Sequence, residues 1–136
     1  MKTTHGYSGK PLYQKIGLTP GMVCRVILPP PHFHALMIGS RDINFSMTVR
    51  KADVVYLFCT SGAVLRKKIK GAIHMVRPGG MLWISWPKKS SPLFKDLTEG
   101  GIREQVLPLG WVDVKVCAVD SDWSGLKFLL RRTERR

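Results

Sequence analysis

Acidic residues are what this chain has least of. Nine Asp and Glu stand against 22 Lys and Arg, for a formal net charge of +13 and a pI near 10.2. From Val54 to Lys95 there is no carboxylate, while that span carries Arg66, Lys67, Lys68, Lys70, Arg77, Lys88, Lys89 and Lys95. Such a surface either attracts polyanions or simply keeps the protein soluble. Charge alone leads us to expect weak, non-specific nucleic-acid binding at low salt, and leaves a small anionic ligand as a second kind of partner. Cysteine is scarce too. Cys24, Cys59 and Cys117 lie far apart, each in or at the end of an apolar run. No Cys-x-x-Cys or Cys/His pair has zinc spacing, so neither a disulfide framework nor a metal site is expected. The three read as buried free thiols in a reducing compartment. No apolar stretch approaches the ~20 residues that span a bilayer. The opening MKTTHGYSGKP has no apolar leader segment. The expectation is a cytoplasmic protein with no membrane partner.

What is present suits one α/β domain over residues 1–136, with a loop at 1–10 and a frayed basic tail at 131–136. A chain of this length buries roughly 65–70% of its unfolded surface, and 44% hydrophobic residues is ordinary for that task. Pro11 is suited to the first turn of a short helix ended by Gly17. Met22–Leu28 is an apolar, β-branched run fit for a buried strand, halted by Pro29-Pro30-Pro31. A short helix over 32–38 and a strand over 43–48 follow. Val54–Cys59 reads as a central parallel strand covered on both faces. Thr60 or Ser61 can cap the next helix, whose apolar positions Val64, Leu65, Ile69, Ala72, Ile73 and Val76 repeat at helical spacing while Arg66, Lys67 and Lys70 face away. Arg77-Pro78-Gly79-Gly80 predicts a stop and turn before the strand Met81–Trp86. Asp96-Leu97-Thr98-Glu99 has the form of a capping box with Asp96 as the cap. Its helix ends at Pro108 and Gly110. Val112–Val119 alternates as a strand does, Asp120–Gly125 reads as a loop, and Leu126–Leu130 is the last strand, closing a hairpin. Strands alternating with helices give an α/β class with a mainly parallel sheet.

Asp53 before an apolar strand, then a helix, then Arg77-Pro78-Gly79-Gly80 before Met81-Leu82-Trp83-Ile84, resembles the fourth and fifth strands of the class I methyltransferase fold. Leu109-Gly110-Trp111 and the closing hairpin resemble its last two. More narrowly, Trp86-Pro87-Lys88-Lys89, Asp96-Leu97-Thr98-Glu99, Val114–Asp120 and Trp123-Ser124-Gly125-Leu126-Lys127-Phe128 are similar to an uncharacterised bacterial family, domain of unknown function 3052, over nearly the whole chain. The resemblance implies a truncated Rossmann-type sheet in the order 2-1-4-5-7-6, in the family's strand numbering, with the last strand antiparallel. It also implies what is missing. Methyltransferases of this class hold S-adenosylmethionine with a glycine-rich loop after the first strand, an acidic residue after the second and adenine contacts from a third. Here those places hold Pro29-Pro30-Pro31-His32, which at the prolines has no N–H to offer, and Thr48-Val49-Arg50. Only 24 residues separate Leu28 from Asp53, room for one helix and one strand. S-adenosylmethionine is therefore not an expected cofactor on conventional terms, and no other cofactor is indicated.

In open α/β sheets ligands bind beyond the carboxyl ends of the strands, at the switch in strand order. That edge would collect His32 and His34, the Thr60-Ser61-Gly62 turn, Lys88, Lys89, Ser90 and Ser91, and Asp120, Asp122 and Trp123. Each has a plainer role. The histidines can be solvated loop residues, since no third ligand is near in sequence for a metal. Lys88 and Lys89 can form a solvated turn or pair with Asp120 and Asp122. Thr60 and Ser61 can cap a helix before they bind an anion. Trp123 can be a packing residue. No Ser/His/Asp triad, paired catalytic carboxylates or phosphate loop can be picked out, so no residue is assigned as catalytic. The leading expectation is a non-catalytic methyltransferase-like domain binding an anionic ligand or partner at this edge. The alternatives are a minimal S-adenosylmethionine-dependent methyltransferase with an atypical pocket and a basic nucleic-acid-associated protein.

Overall fold

The computed structural model describes residues 9–134. The first eight residues of the expected N-terminal loop and the last two of the tail lie outside them. In chain order the elements are α1 (Leu12–Ile16), β1 (Val23–Ile27), α2 (Phe33–Leu36), β2 (Asn44–Ser46), β3 (Ala52–Phe58), α3 (Gly62–Met75), β4 (Val76–Pro87), α4 (Glu99–Val106), β5 (Trp111–Ala118) and β6 (Trp123–Leu130). One six-stranded sheet runs β2-β1-β3-β4-β6-β5. Strands β2, β1, β3 and β4 are parallel, and β6 is antiparallel to both β4 and β5. This is the expected order 2-1-4-5-7-6, with no third strand.

The sheet is covered on both faces, which is why β3 is a continuous apolar run. On one face α3 and α4 pack Leu65, Ile69, Ile102 and Val106 onto Val55, Leu57, Leu82 and Ile84. On the other, α1 and α2 bring Ile16, Phe33 and Met37 against Val54, Tyr56, Phe58 and Trp83. The Trp83 indole N–H donates to the Ile16 carbonyl at 3.0 Å, so its polar atom is satisfied inside the core.

The return from β2 to β3 replaces a strand and its helices with five residues, Met47–Lys51. Five extended residues reach about 18 Å at most, enough to run back along strands this short. Ser46 Oγ starts the crossover by accepting from the N–H groups of Thr48 (3.1 Å) and Val49 (3.0 Å). Arg25, on β1 beneath it, donates its guanidinium to the Val49 carbonyl. Val49 itself packs against the α3/α4 core, so the crossover lies on that face.

The structure corrects four local expectations. Arg77–Gly80 is not a turn before the strand but part of β4. Pairing jumps from Ala52↔Val76 to Val54↔Met81, so the segment bulges, with Gly79 at φ 81. Asp53 pins this end of the sheet, accepting from the Val23 N–H (2.8 Å) and from Arg77 Nη1 (3.2 Å). The cap of α4 is Thr98, whose Oγ1 accepts from Gly101 N–H at 3.1 Å; Asp96 is used elsewhere. Strand β6 starts at Trp123 rather than Leu126, so the hairpin loop is shorter than the sequence implied. The tail is anchored where it begins. Arg131 N–H donates to the Gly110 carbonyl (2.7 Å) and its guanidinium to that of Leu107 (3.1 Å), and Arg132–Glu134 form a 3-10 turn.

Candidate functional site

Beyond the carboxyl ends of the strands, β1 leaves the sheet through Leu28, a non-glycine residue at φ 58 and 48% exposed. Left-handed geometry costs an ordinary residue roughly 1–2 kcal/mol. Pro30 is buried, and its carbonyl takes the Phe33 N–H at 3.0 Å to open α2. His32 Nε2 then meets Asp120 Oδ2 at 2.8 Å. That contact joins the β1–α2 turn to the β5–β6 hairpin across 88 residues of chain. The second Asp120 oxygen accepts from the N–H groups of Asp122 and Trp123, both at 2.8 Å. One carboxylate thus shapes the hairpin turn and holds the neighbouring loop.

The β4 exit lies against the same hairpin. Lys88 N–H donates to the Asp122 carbonyl at 2.8 Å, and Ser91 N–H to the Lys88 carbonyl at 3.0 Å. Ser91 is buried and its Oγ accepts from Leu93 N–H, while Lys89 and Ser90 are exposed. Among the described residues no ion pair joins Lys88 or Lys89 to Asp120 or Asp122; the partner of Asp120 is His32. Behind this edge lies Lys15, buried, with its ammonium 3.3 Å from the Ala118 carbonyl. Burial lowers its pKa, and the nearby Lys115 and Lys88 add to that, against the opposite pull of Cys117. Trp123 packs edge-on to Phe58, ring centroids 5.3 Å apart, and among the described residues its buried indole N–H has no hydrogen-bond partner. His34 is exposed and its ring touches Phe33; it does not join the cluster.

At the start of α3 the chain supplies its own anion. Ser61 caps the helix by accepting from Val64 N–H at 3.2 Å, and Asp96 Oδ1 takes the Gly62 N–H at 3.0 Å. Gln105 reaches the Gly62 carbonyl at 3.1 Å. Free N–H groups of a first turn attract a carboxylate as readily as a phosphate, so the Thr60-Ser61-Gly62 turn is already engaged. Asp96 is the site residue that sequence reasoning missed. Its partner is 34 residues away, and the only local signal was that Thr98 offered a second capping register.

Of the sequence-selected residues, the structure brings together His32 with Asp120 and the main chains of Lys88 and Asp122. Thr60, Lys89 and Ser90 are exposed around them. Among the described residues no group of three His, Cys, Asp or Glu is placed to hold a metal, and no helix is long and apolar enough to cross a membrane. A cavity of about 220 Å³ is lined by Tyr13, Leu18, Pro20, Gly39, Arg41 and Ile43. It lies at the amino ends of β1 and β2, away from this edge, and is smaller than the roughly 300–1,000 Å³ of most small-molecule sites.

The edge does not reproduce the donor set by which the class I fold usually holds S-adenosylmethionine. The prolines after β1 have no N–H, and the Phe33 N–H is spent on Pro30. After β2 the N–H groups of Thr48 and Val49 are spent on Ser46, and Arg50 occupies the acidic position. Among the described residues no further strand stands between β2 and β3.

No protein-family model matches the chain, and no curated protein matches it. Solved structures do. A SAM-dependent methyltransferase from Aquifex aeolicus aligns with a TM-score of 0.64 at 13% identity, covering 88% of this chain and 87% of that one. One from Geobacter sulfurreducens, in complex with S-adenosyl-L-homocysteine, gives 0.55 at 12% over 88% and 89%. A ribosomal protein L11 methylase from Lactobacillus delbrueckii subsp. bulgaricus gives 0.56 at 11% over 88% and 74%. At such identities the likeness is one of fold. The narrower resemblance to domain of unknown function 3052 has no family match behind it, while the mixed α/β sheet is that of a truncated class I methyltransferase-like fold.

Proposed function

We propose that this chain is a minimal S-adenosylmethionine-dependent methyltransferase that takes its cofactor in an atypical pocket at the carboxyl edge of the sheet. The observation that carries the reading is mutual coverage. The Aquifex protein aligns over most of its own length as well as of this chain, so the likeness extends over the whole fold and not over one segment of a larger protein. This favours the enzyme over a domain with no chemistry. The groups on offer at that edge are the Thr60 hydroxyl, the Lys88 and Lys89 ammonium groups and the Asp122 carboxylate. No glycine loop and no acidic residue after β2 assist them. The test is calorimetric titration with S-adenosylhomocysteine. Affinity tighter than about 10 μM, roughly −7 kcal/mol, supports the reading. No saturable heat up to millimolar ligand removes it.

A second reading, a non-catalytic domain binding an anionic ligand, rests on one specific observation. The His32–Asp120 contact and the proline turn occupy the approach to β1 that the cofactor uses elsewhere in the fold. On this reading phosphate or a nucleotide raises the melting temperature of the wild type, and Lys88→Ala/Lys89→Ala, still folded, loses that shift. An equal shift in both proteins assigns the effect to ionic strength.

A further inference from the structure

The outer face of α3 carries a charge cluster that no ion pair neutralises among the described residues. Its buried side is Leu65, Ile69 and Ala72. At 100° per residue, Lys67, Lys70 and His74 point opposite to that side, with Arg66 and Lys68 on the two flanks. All five are exposed. Not one residue from Gly62 to Met75 is acidic. Among the described residues, the ion pairs belong to His32, Arg77 and Arg103 and leave these cations out. The nearest carboxylates are engaged: Asp96 on the Gly62 N–H, Glu99 on Arg103 and Asp53 on Arg77. Glu104, exposed on α4, is the acidic group without such a contact.

This arrangement is unfavourable for the helix itself. Arg66 and Lys70 are like charges four residues apart, Lys67 and Lys70 three apart, and such pairs destabilise. At the other end the pattern continues. Lys51 Nζ donates to the His74 carbonyl at 2.7 Å, and the His74 ring is held by its Nδ1 at 2.8 Å from the Lys70 carbonyl.

We infer that this face of α3 is a docking surface for the phosphodiester backbone of nucleic acid, read by charge and not by base sequence. Arg66 and Lys70 are about 6 Å apart along the helix axis, a span over which a duplex presents about three to four phosphate charges. A strip of cations of that length with no acidic residue among them is complementary to a regular polyanion. No aromatic side chain lies on it to stack on bases, so backbone contact is the chemistry available.

The test is fluorescence anisotropy with a labelled duplex of about 20 base pairs over a salt series. Wild type binds at low salt with log K falling linearly against log salt, without preference among sequences. Lys67→Gln/Lys70→Gln flattens that slope by about 1.8, since each lost phosphate contact removes about 0.9, and weakens low-salt binding at least tenfold. Lys67→Arg/Lys70→Arg keeps both slope and affinity, which separates lost charge from lost fold. Arg41→Gln/Arg50→Gln, an equal change in net charge at the β2 edge, leaves the slope within about 0.5 of wild type. Equal losses in the two Gln variants overturn the inference in favour of diffuse net charge. So does binding to anionic phosphatidylglycerol vesicles that depends on Lys67 and Lys70 when duplex binding does not. Because the surface is separate from the carboxyl edge, loss of S-adenosylhomocysteine binding would not bear on it.

Discussion

The hydroxyl pair of Tyr56 and Ser85 is a buried polar contact that can be weighed cleanly. Tyr56 lies on β3 and Ser85 on β4, both fully buried, with their oxygens 2.7 Å apart. Burial drives the Tyr56 pKa far above the usual tyrosine range, so the group stays a neutral donor at any working pH. Tyr56→Phe keeps the ring stacked on Phe58, centroids 4.3 Å apart, and removes only the hydroxyl. Ser85 Oγ is then left without that partner, and an unsatisfied buried hydroxyl costs about 1–3 kcal/mol. Ser85→Ala orphans the Tyr56 hydroxyl at a similar cost. The double variant removes both groups, so its loss is expected to be close to that of either single change. The coupling across the cycle is then about 1–3 kcal/mol. Urea unfolding of the four proteins measures it, with the m-value unchanged if the native state is intact. Additivity within about 0.5 kcal/mol would refute the reasoning and mean that each oxygen is satisfied without the other.

Gly80 and Gly71 should respond oppositely to alanine. A Cβ on Gly80 would stand 2.6 Å from the Asp53 carbonyl and 2.9 Å from Val76, so Gly80→Ala is expected to cost more than about 3 kcal/mol. At exposed Gly71 in α3 a Cβ meets nothing within 4 Å, and Gly71→Ala is expected to stabilise by about 0.5–1 kcal/mol; thermal melts read both. Asp96→Ala removes the carboxylate at the α3 N-terminus and is expected to cost about 0.5–2 kcal/mol, with amide exchange at Gly62 accelerated; an unchanged Gly62 rate would count against the contact. Arg103 binds Glu99 and, at 2.8 Å, Asp113, and the hydrogen bond from Arg103 holds the Asp113 carboxyl below its ordinary range. A depressed folded-state pKa gives stability that is present above the unfolded value near 3.9 and lost as pH falls through the lower folded one. Arg103→Gln should therefore narrow the difference in melting temperature between pH 6 and pH 3; an unaltered difference would assign the acid loss to other groups.

The sheet was legible because its signals are contiguous. Val54–Cys59 and Met81–Trp86 are apolar runs too short for helices, and the hairpin follows from two strands with only a loop between them. The bulge in β4 was not, because Pro-Gly-Gly marks a turn and a bulge equally. What selects the bulge is Asp53, whose carboxylate bridges β1 and Arg77 from a distant part of the chain. The α4 cap was misplaced by two residues because Asp96 and Thr98 are both competent caps, and only the demand of Gly62 for a carboxylate separates them. At the carboxyl edge the residue types could be gathered from strand order, but their pairing could not. Lysines closer in the chain stood beside Asp120, yet its side-chain partner is His32, while Lys88 meets the hairpin through its main chain.

The five-residue crossover decides how a ligand can sit at that edge. In the full fold the ends of the first and second strands grip the ribose from one side and the strands beyond the switch point contact the rest. Here β2 ends at Ser46, and the N–H groups of Thr48 and Val49 turn inward onto its hydroxyl. Val49 packs against the α3/α4 core, with its carbonyl on the guanidinium of Arg25. The acidic position is therefore not merely occupied by the wrong residue. The backbone that would carry it has been recruited to close the sheet, and an acid at position 50 would sit on an exposed crossover. The proline turn removes N–H groups from the β1 side as well, and the His32–Asp120 contact bridges what remains. An adenosyl group, or an anionic ligand, at this edge must consequently be held from the β3, β4 and β6 side. There Thr60 and Lys89 are exposed, Asp120 shapes the turn, and Lys88 meets the hairpin through its main chain. The two readings of the protein differ in what fills that half of the edge, and agree that the β1–β2 half cannot serve.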